Sequence, residues 1–219
     1  MAKPSIQDSL SGVPDGGKQS RIQTRNREKI LEAATHEFAQ HGFRGSTVAQ
    51  IARAAEMSKP NLLYYFASKE DLYLAVLQRI LDIWLRPLSE LDPEAEPEDA
   101  LGDYIDQKIE QSRRYPEASR VFANEMTAGA PILKPLLVTY VKEVVNKKAR
   151  VIRKWIRGNK MNKDVDPYHL IMMIWAVTQH YADFAVQVDA VRGKTLDDKN
   201  FYHQTRKNIK NILLHGCLK

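Results

Sequence analysis

Residues 47–72 read TVAQIARAAEMSKPNLLYYFASKEDL, two short helical patterns around a tight break, then the opening of a third helix. Val48, Ile51, Ala52 and Ala55 recur at helical spacing and give the first segment one apolar face. Thr47 stands where an N-cap belongs, with a hydroxyl that can accept a first-turn N–H. The break falls at Glu56 and Met57. Ser58 then caps a second helix with Pro60 in its first turn, where a missing N–H costs little. This short helix offers Leu62, Leu63 and Phe66 to a core and leaves Lys59, Asn61, Tyr64 and Tyr65 elsewhere. Ser68-Lys69-Glu70-Asp71 opens the next helix as a capping box, with Asp71 where Glu or Gln is usual. Two short helices around a tight turn, the second beginning with small and polar residues, make a helix-turn-helix. The N-terminal end of such a second helix can enter the DNA major groove.

Upstream, Arg21, Arg25, Arg27 and Lys29 lead into a helix that carries Ile30, Leu31, Ala34 and Phe38, with its stop at Gly42. Residues 1–20 are rich in Ser, Gly, Pro, Asp and Lys without periodicity, the composition of a disordered tail. Downstream, a helix from Ser68 to about residue 91 has an apolar stripe of Leu72, Val76, Ile80, Ile83 and Trp84, with Pro87 as a kink or an end. An acidic run with two prolines at 92–99 separates it from helices over 98–114 and 116–128. Further helices are predicted over 133–157, 166–192 and 196–214, and no stretch alternates with the period of a strand. The expectation is an all-α chain: a tail at 1–20, a three-helix helix-turn-helix head at 21–67 and a helical bundle at 68–219.

A chain of 219 residues, 43% hydrophobic and 27% charged, falls in the globular class and outside the low-complexity one. A formal net charge of +6 suits a polyanionic partner. The single cysteine, Cys217, excludes a disulfide framework within one chain and fits a cytoplasmic location. The polar first 20 residues give no signal peptide, and the longest apolar run, 170–177, is too short to cross a bilayer. The histidines lack metal-ligand spacing, and neither a nucleophile elbow nor a phosphate loop is present. No metal, cofactor or catalytic residue is therefore assigned.

The segment 166–192 is apolar on nearly all sides, with one stripe through Leu170, Met173, Val177, Tyr181, Phe184 and Val188 and a second through Ile171, Trp175, Ala182 and Val186. One side can pack on its own bundle and the other on a second subunit. The last two long helices are therefore expected to build a homodimer interface, with Phe201, Ile209 and Leu213 as partners of the first stripe. Trp175, Gln179 and Asp183 stand four apart and line up along one side. These groups either satisfy one another or present a flat donor–acceptor pair beside an aromatic face. Between 134 and 163 there are ten Lys or Arg and one acidic residue, Glu143. Leu133, Leu137, Tyr140, Val144, Val151 and Trp155 interleave with these charges at helical spacing, which favours a bundle helix with a solvated basic face over a membrane contact.

The run from Thr47 through Ile51-Ala52, Ala55, Ser58, Leu62-Leu63-Tyr64-Tyr65-Phe66 and Ser68-Lys69-Glu70-Asp71-Leu72 resembles the TetR family of transcriptional regulators. ILDIWLRPL (80–88), RRYPEASRVFANEMTAGAP (113–131) and HLIMMIWAVTQHYADFAVQV (169–188) look like the family's RutR branch. The resemblance implies a repressor of double-stranded operator DNA, near-palindromic in sequence, that answers to a uracil-type pyrimidine such as uracil or thymine. On the head, Arg44, Thr47, Tyr65 and Lys69 are expected at phosphates. Ser58, Lys59, Pro60, Asn61 and Tyr64 are expected at the groove end of the second helix. In the bundle, Trp84 and Trp175 are expected as walls of the effector site, Gln179 and Asp183 as its polar readers, and Phe122 and Met126 as its closure. The competing readings are a regulator of different ligand class and a small helical enzyme that uses His180 and Asp183 as acid–base groups.

Overall fold

The computed structural model describes residues 17–218, with side chains from Arg21 onward. Most of the tail read at 1–20 lies outside the described residues. The described chain is helical, with one isolated bridge between Met161 and Leu218. It forms two compact units that divide between Tyr73 and Leu74.

The first unit holds α1 (Gly17–Gly45), α2 (Val48–Ala54), α3 (Lys59–Tyr65) and the opening turns of α4 (Lys69–Ser89). Gly42 adopts φ 68° and ψ 174°, a break that an L side chain rarely tolerates, and the helix bends there. Ile30, Leu31, Ala34 and Phe38 of α1 are buried in this unit, as are Ile51, Ala52, Leu62 and Leu72, and α1 packs on α2 and α2 on α3. Phe38 meets the edge of Tyr73 at 4.8 Å. Leu63, expected in this core, lies outside it at 36% exposure, because the seven-residue α3 has only one buried face. The turn between α2 and α3 places Glu56 at φ 53°, and its carboxylate meets the Lys29 amine.

The second unit holds the rest of α4, then α5 (Pro97–Arg114), α6 (Pro116–Thr127), the short α7 (Lys134–Leu136), a π-helical turn (Leu137–Val141), α8 (Lys142–Arg157), α9 (Pro167–Asp183), α10 (Ala185–Arg192) and α11 (Lys199–Cys217). Prolines open α5, α6 and α9, and Asp166 and Asp198 cap α9 and α11 through side-chain oxygens. α9 packs on α5, α6 and α8, and α11 packs on α5. Leu101, Ile105 and Ile109 of α5 enter a core with Ile152 and Trp155 of α8 and Leu170, Ile171 and Ile174 of α9.

Two expectations change here. The helix read over 166–192 is broken at Phe184 (φ −117°, ψ 35°), so α9 and α10 are separate elements. Val188, Phe201, Ile209 and Leu213, assigned to a subunit interface, are buried within the chain's own core. Phe184, at the junction of α9 and α10, and Val186, Val191 and Ile212 of α10 and α11 are instead left in solvent, as are Met172 and Met173 of α9. The basic stretch keeps the solvated face expected of it, with most of its Lys and Arg exposed, and it also holds the acidic turn. Lys154 and Lys160 pair with Glu94 and Glu96 at 2.5 and 2.6 Å, Lys148 donates to the Leu91 carbonyl at 3.0 Å, and the Trp155 indole donates to the Pro93 carbonyl at 3.2 Å. The acidic turn at 92–99 is pinned by the basic helix opposite it.

Candidate DNA-reading face and effector site

The start of α3 is open. Ser58, Lys59, Pro60 and Asn61 are exposed, and Tyr64 is 73% exposed. Ser58 accepts the Asn61 N–H at 3.3 Å, which fixes the first turn while leaving the Asn61 carboxamide outward. Tyr64 stands edge-on to Tyr65 at 5.3 Å. The Tyr65 hydroxyl accepts from the Asn26 amide at 3.1 Å and keeps its own proton to donate. Arg44 is exposed in the last turn of α1.

Thr47 and Lys69 are more occupied than the sequence suggested. Thr47 and Gln50 form a reciprocal capping box: the Gln50 N–H donates to the Thr47 hydroxyl at 3.2 Å, and the Thr47 N–H donates to the Gln50 side-chain oxygen at 2.9 Å. The Lys69 amine donates to the Phe43 carbonyl at 2.8 Å and to the Ser46 carbonyl at 3.0 Å, and sits 4.4 Å from the Phe43 ring centre. Lys69 thus ties the start of α4 to the connection between α1 and α2. Two of its three N–H groups are taken before any DNA arrives.

The second unit carries a set of polar groups inside its apolar interior. Trp84, on α4, is nearly buried and meets the edge of Phe122 at 4.7 Å. Above the Trp84 ring, 5.1 Å from its centre, lies the amine of Lys108, whose residue is only 2% exposed. Burial pulls the Lys108 amine down to about 7, against the attraction of the Asp183 carboxylate. Burial pushes Asp183 in the opposite direction, up from the ordinary carboxylate value, opposed by the Ser119 hydroxyl, which donates to it, and by the charges of Lys108 and His180. Trp175 donates its indole N–H to the Tyr104 hydroxyl at 2.6 Å. Gln179 and Met126 are half-buried, Gln179 one turn from both Trp175 and Asp183 on α9.

The fold therefore brings Trp84 to Phe122 and, through Lys108, to Asp183. Trp175 is tied to Tyr104, one turn before Lys108 on α5. Sequence reasoning missed Lys108, Ser119 and Tyr104. For Lys108 a signal existed: it interrupts the buried stripe Leu101, Tyr104, Ile105, Ile109 of α5, where a charge is rare unless it has a task.

Other inward polar groups are held by hydrogen bonds, Gln111 only through its amide N–H. Ser112 donates to the Thr178 carbonyl at 2.8 Å, and Thr178 to the Ile174 carbonyl at 2.6 Å. The Glu125 carboxylate accepts the N–H groups of Ile132 and Leu133 at 2.8 and 2.9 Å, and so caps the turn that precedes α7. Gln111 donates to the Ile83 carbonyl at 2.6 Å, while its side-chain oxygen is buried without a protein partner.

A helix-turn-helix with an open second helix, followed by a helical body, defines a DNA-binding transcriptional regulator. The profile described as "Bacterial regulatory proteins, tetR family" matches residues 30–76, and that described as "YcdC-like protein, C-terminal region" matches 77–219. The chain belongs to the TetR family of transcriptional regulators and is not an enzyme. It is 50% identical to the HTH-type transcriptional regulator RutR of Escherichia coli K12 over 204 residues, 93% of this chain and 96% of that one. It is 32% identical over 110 residues to the transcriptional repressor NicS of Pseudomonas putida, half of this chain and 52% of that protein. Among solved structures, a transcriptional regulator from Streptomyces coelicolor shares the fold with a TM-score of 0.68 at 23% identity, covering 88% of this chain and 98% of that one. The fatty acid degradation regulator FadR of Bacillus halodurans does so with a TM-score of 0.66 at 19% identity, covering 92% and 96%. No described helix is long and apolar enough to cross a membrane.

Proposed function

We propose that the chain is a dimeric repressor whose hold on a near-palindromic operator is released by a uracil-type pyrimidine. The observation that carries the effector reading is the enclosed set of Trp84, Lys108, Ser119 and Asp183 in the body. A globular bundle gains nothing from a buried amine and a half-buried carboxylate, and replacing such groups with apolar ones is often neutral or stabilising. A planar ring that presents carbonyl oxygens and N–H groups at its edge satisfies both. Trp84 and Trp175 supply aromatic walls, Gln179 and Asp183 supply edge contacts, and Phe122 and Met126 lie on the neighbouring helix α6. The near-full-length similarity to RutR supports the same ligand class, since the branch resemblance implies a pyrimidine effector.

The second subunit is assigned to the exposed face of α9, α10 and α11. Met173, Phe184, Val191 and Ile212 are each more than half exposed there. The symmetric dimer follows from the need to present two heads to successive turns of a palindrome, on the order of 35 Å apart. On the head, Asn61, Lys59, Pro60 and Tyr64 are assigned to base edges, with Ser58 at the helix start, and Arg44, Thr47 and Tyr65 to phosphates. Lys69 contributes by holding the Arg44–Thr47 connection in place. The effector acts by binding one dimer arrangement more tightly than the other, and the operator does the opposite.

Gln179→Leu keeps the volume and removes the amide. It should weaken uracil binding by about 1–3 kcal/mol, with operator affinity in the absence of effector little changed. Titration calorimetry with uracil and thymine decides the matter: no binding of either to the wild-type protein refutes the ligand class and leaves the DNA-binding assignment standing.

A further inference from the structure

Lys108 is the least explained group in the body. Its amine lies over the Trp84 ring and feels the Asp183 carboxylate. α4 gives it the ring face of Trp84. α9 gives it the Asp183 carboxylate, with His180 one turn fraction away acting on that same carboxylate. α6 gives Ser119, whose hydroxyl donates to Asp183 and so weakens it as a partner for the amine. On α5 itself, the Tyr104 hydroxyl is engaged by the Trp175 indole and the Gln111 amide by the Ile83 carbonyl. Asp183 is the one carboxylate whose charge reaches Lys108, and it is shared. An ammonium needs up to three acceptors; this site offers an aromatic face and part of one carboxylate.

We infer that Lys108 reads a carbonyl oxygen of the effector, and that effector binding draws a proton from solvent onto its amine. The inference rests on the pyrimidine reading above and deepens it by naming the edge contact and its proton balance. In the free protein the amine is shared between its neutral and charged forms around neutral pH, because burial opposes the charge. A carbonyl oxygen brought against it is an acceptor that rewards the ammonium far more than the neutral amine. The balance is simple: the neutral amine, one proton from buffer and one ligand give an ammonium that donates to the ligand oxygen. No bond in the ligand breaks. The sign follows. Below about 7 the amine is already charged and affinity is flat with pH. Above it the proton must be taken up on binding, and affinity falls by about tenfold per pH unit until the value of the bound state is reached.

The test uses the full-length protein and uracil. Calorimetric titrations at about pH 8, in two buffers of different ionisation heat, count protons directly and should give uptake close to one per site. Lys108→Met should abolish the uptake and flatten the pH dependence, with thermal melting as the check that the variant is folded. His180→Gln should leave the uptake in place, since the imidazole is the other basic group that acts on Asp183. Ser119→Ala should shift the onset of uptake, because Asp183 loses its hydroxyl partner. A measurement on the free protein stands apart from the ligand: with isotope-labelled lysine, the Lys108 side-chain signal, assigned by its loss in Lys108→Met, should titrate near neutrality and move upward when uracil is added. Uracil bound with no proton uptake, uptake that persists in Lys108→Met, or a free-state titration at the ordinary lysine value each overturns the inference. Failure of uracil to bind while the signal titrates near neutrality instead overturns the pyrimidine reading, and this inference with it.

Discussion

Lys69→Ala separates two accounts of the head that the sequence alone does not distinguish. As a phosphate contact, Lys69 would be a surface charge whose removal leaves the fold intact. The structure instead gives its amine two carbonyl acceptors, Phe43 at 2.8 Å and Ser46 at 3.0 Å, and the Phe43 ring at 4.4 Å. Hydrogen bonds to a charged donor are worth about 1.5–3 kcal/mol each when well desolvated. Here both are only part-buried, so water recovers some of the loss and about 1 kcal/mol each is the reasonable figure. The cation–π contact adds roughly 0.5–1 kcal/mol. The sum, about 2–3 kcal/mol, should appear as faster local opening of the connection between α1 and α2. Native-state hydrogen exchange on peptides from that region should accelerate by roughly 30- to 150-fold. Operator binding weakens in either account, because Arg44 and Thr47 ride on this connection. The salt slope discriminates: a lost phosphate contact lowers it by about one unit, and a loosened scaffold with its phosphate contacts intact does not. Unchanged exchange together with a slope reduced by one contact would refute the structural role.

Asn61→Ala, which removes an exposed carboxamide from the first turn of α3, should cost about 1–3 kcal/mol of discrimination between operator and mismatched sites while leaving non-specific binding unchanged; competition binding against single-base variants checks it. Glu125→Ala strands two N–H groups beside α7 and should destabilise the body by roughly 2–4 kcal/mol in urea unfolding, whereas Glu125→Gln keeps one acceptor oxygen and should cost about half as much. Stability should also depend on alkaline pH through Lys108. Its value in the folded state, about 7, lies below the ordinary lysine value of 10.5, so between these limits the unfolded chain holds a proton that the native chain sheds. Stability contributed by this group therefore rises with pH across that window, and the rise should vanish in Lys108→Met when melts are compared at the two ends.

The head was legible because its determinants are local. Thr47, Ser58 and the Ser68–Asp71 pair announce helix starts through bonds that reach three residues at most, and each is made: Gln50 N–H to Thr47, Asn61 N–H to Ser58 and Asp71 N–H to Ser68. Tertiary bonds were not legible. Lys69 finds its acceptors 26 and 23 residues earlier, at a distance no spacing rule covers. In the body, the break at Phe184 carries no glycine or proline to announce it. Hydrophobic periodicity also says which residues are apolar on a helix but not which neighbour covers them. Val188, Phe201, Ile209 and Leu213 satisfy the pattern of an interface equally well by packing on their own chain. Within the candidate site, Trp84, Trp175 and Asp183 stood out as aromatic or charged residues in apolar surroundings. Ser119 did not, since a serine near a helix start has ordinary local uses; only the approach of α6 to α9 reveals its bond to Asp183.

What separates structural from ligand-reading polar groups in this body is the state of their hydrogen bonds. Buried polar groups persist where each has a partner. By that measure Ser112, Thr178 and Glu125 are structural: each has acceptors or donors at 2.6–2.9 Å supplied by backbone that is itself fixed by helices. Replacing any of them should change stability first and effector response only as a consequence. Lys108 and Asp183 are different, because burial weakens the charged form of each and the pair meets only in part. Holding them in that condition costs folding free energy, which the proposed effector, with matching edges, would offset. The same accounting ranks variants. Lys108→Met and Asp183→Asn should be tolerated by the fold and bind the effector more weakly, while Glu125→Ala should be heard in the melt before it is heard in binding. A screen that ordered these three variants the other way would remove the reason for placing the effector between α4, α5 and α9.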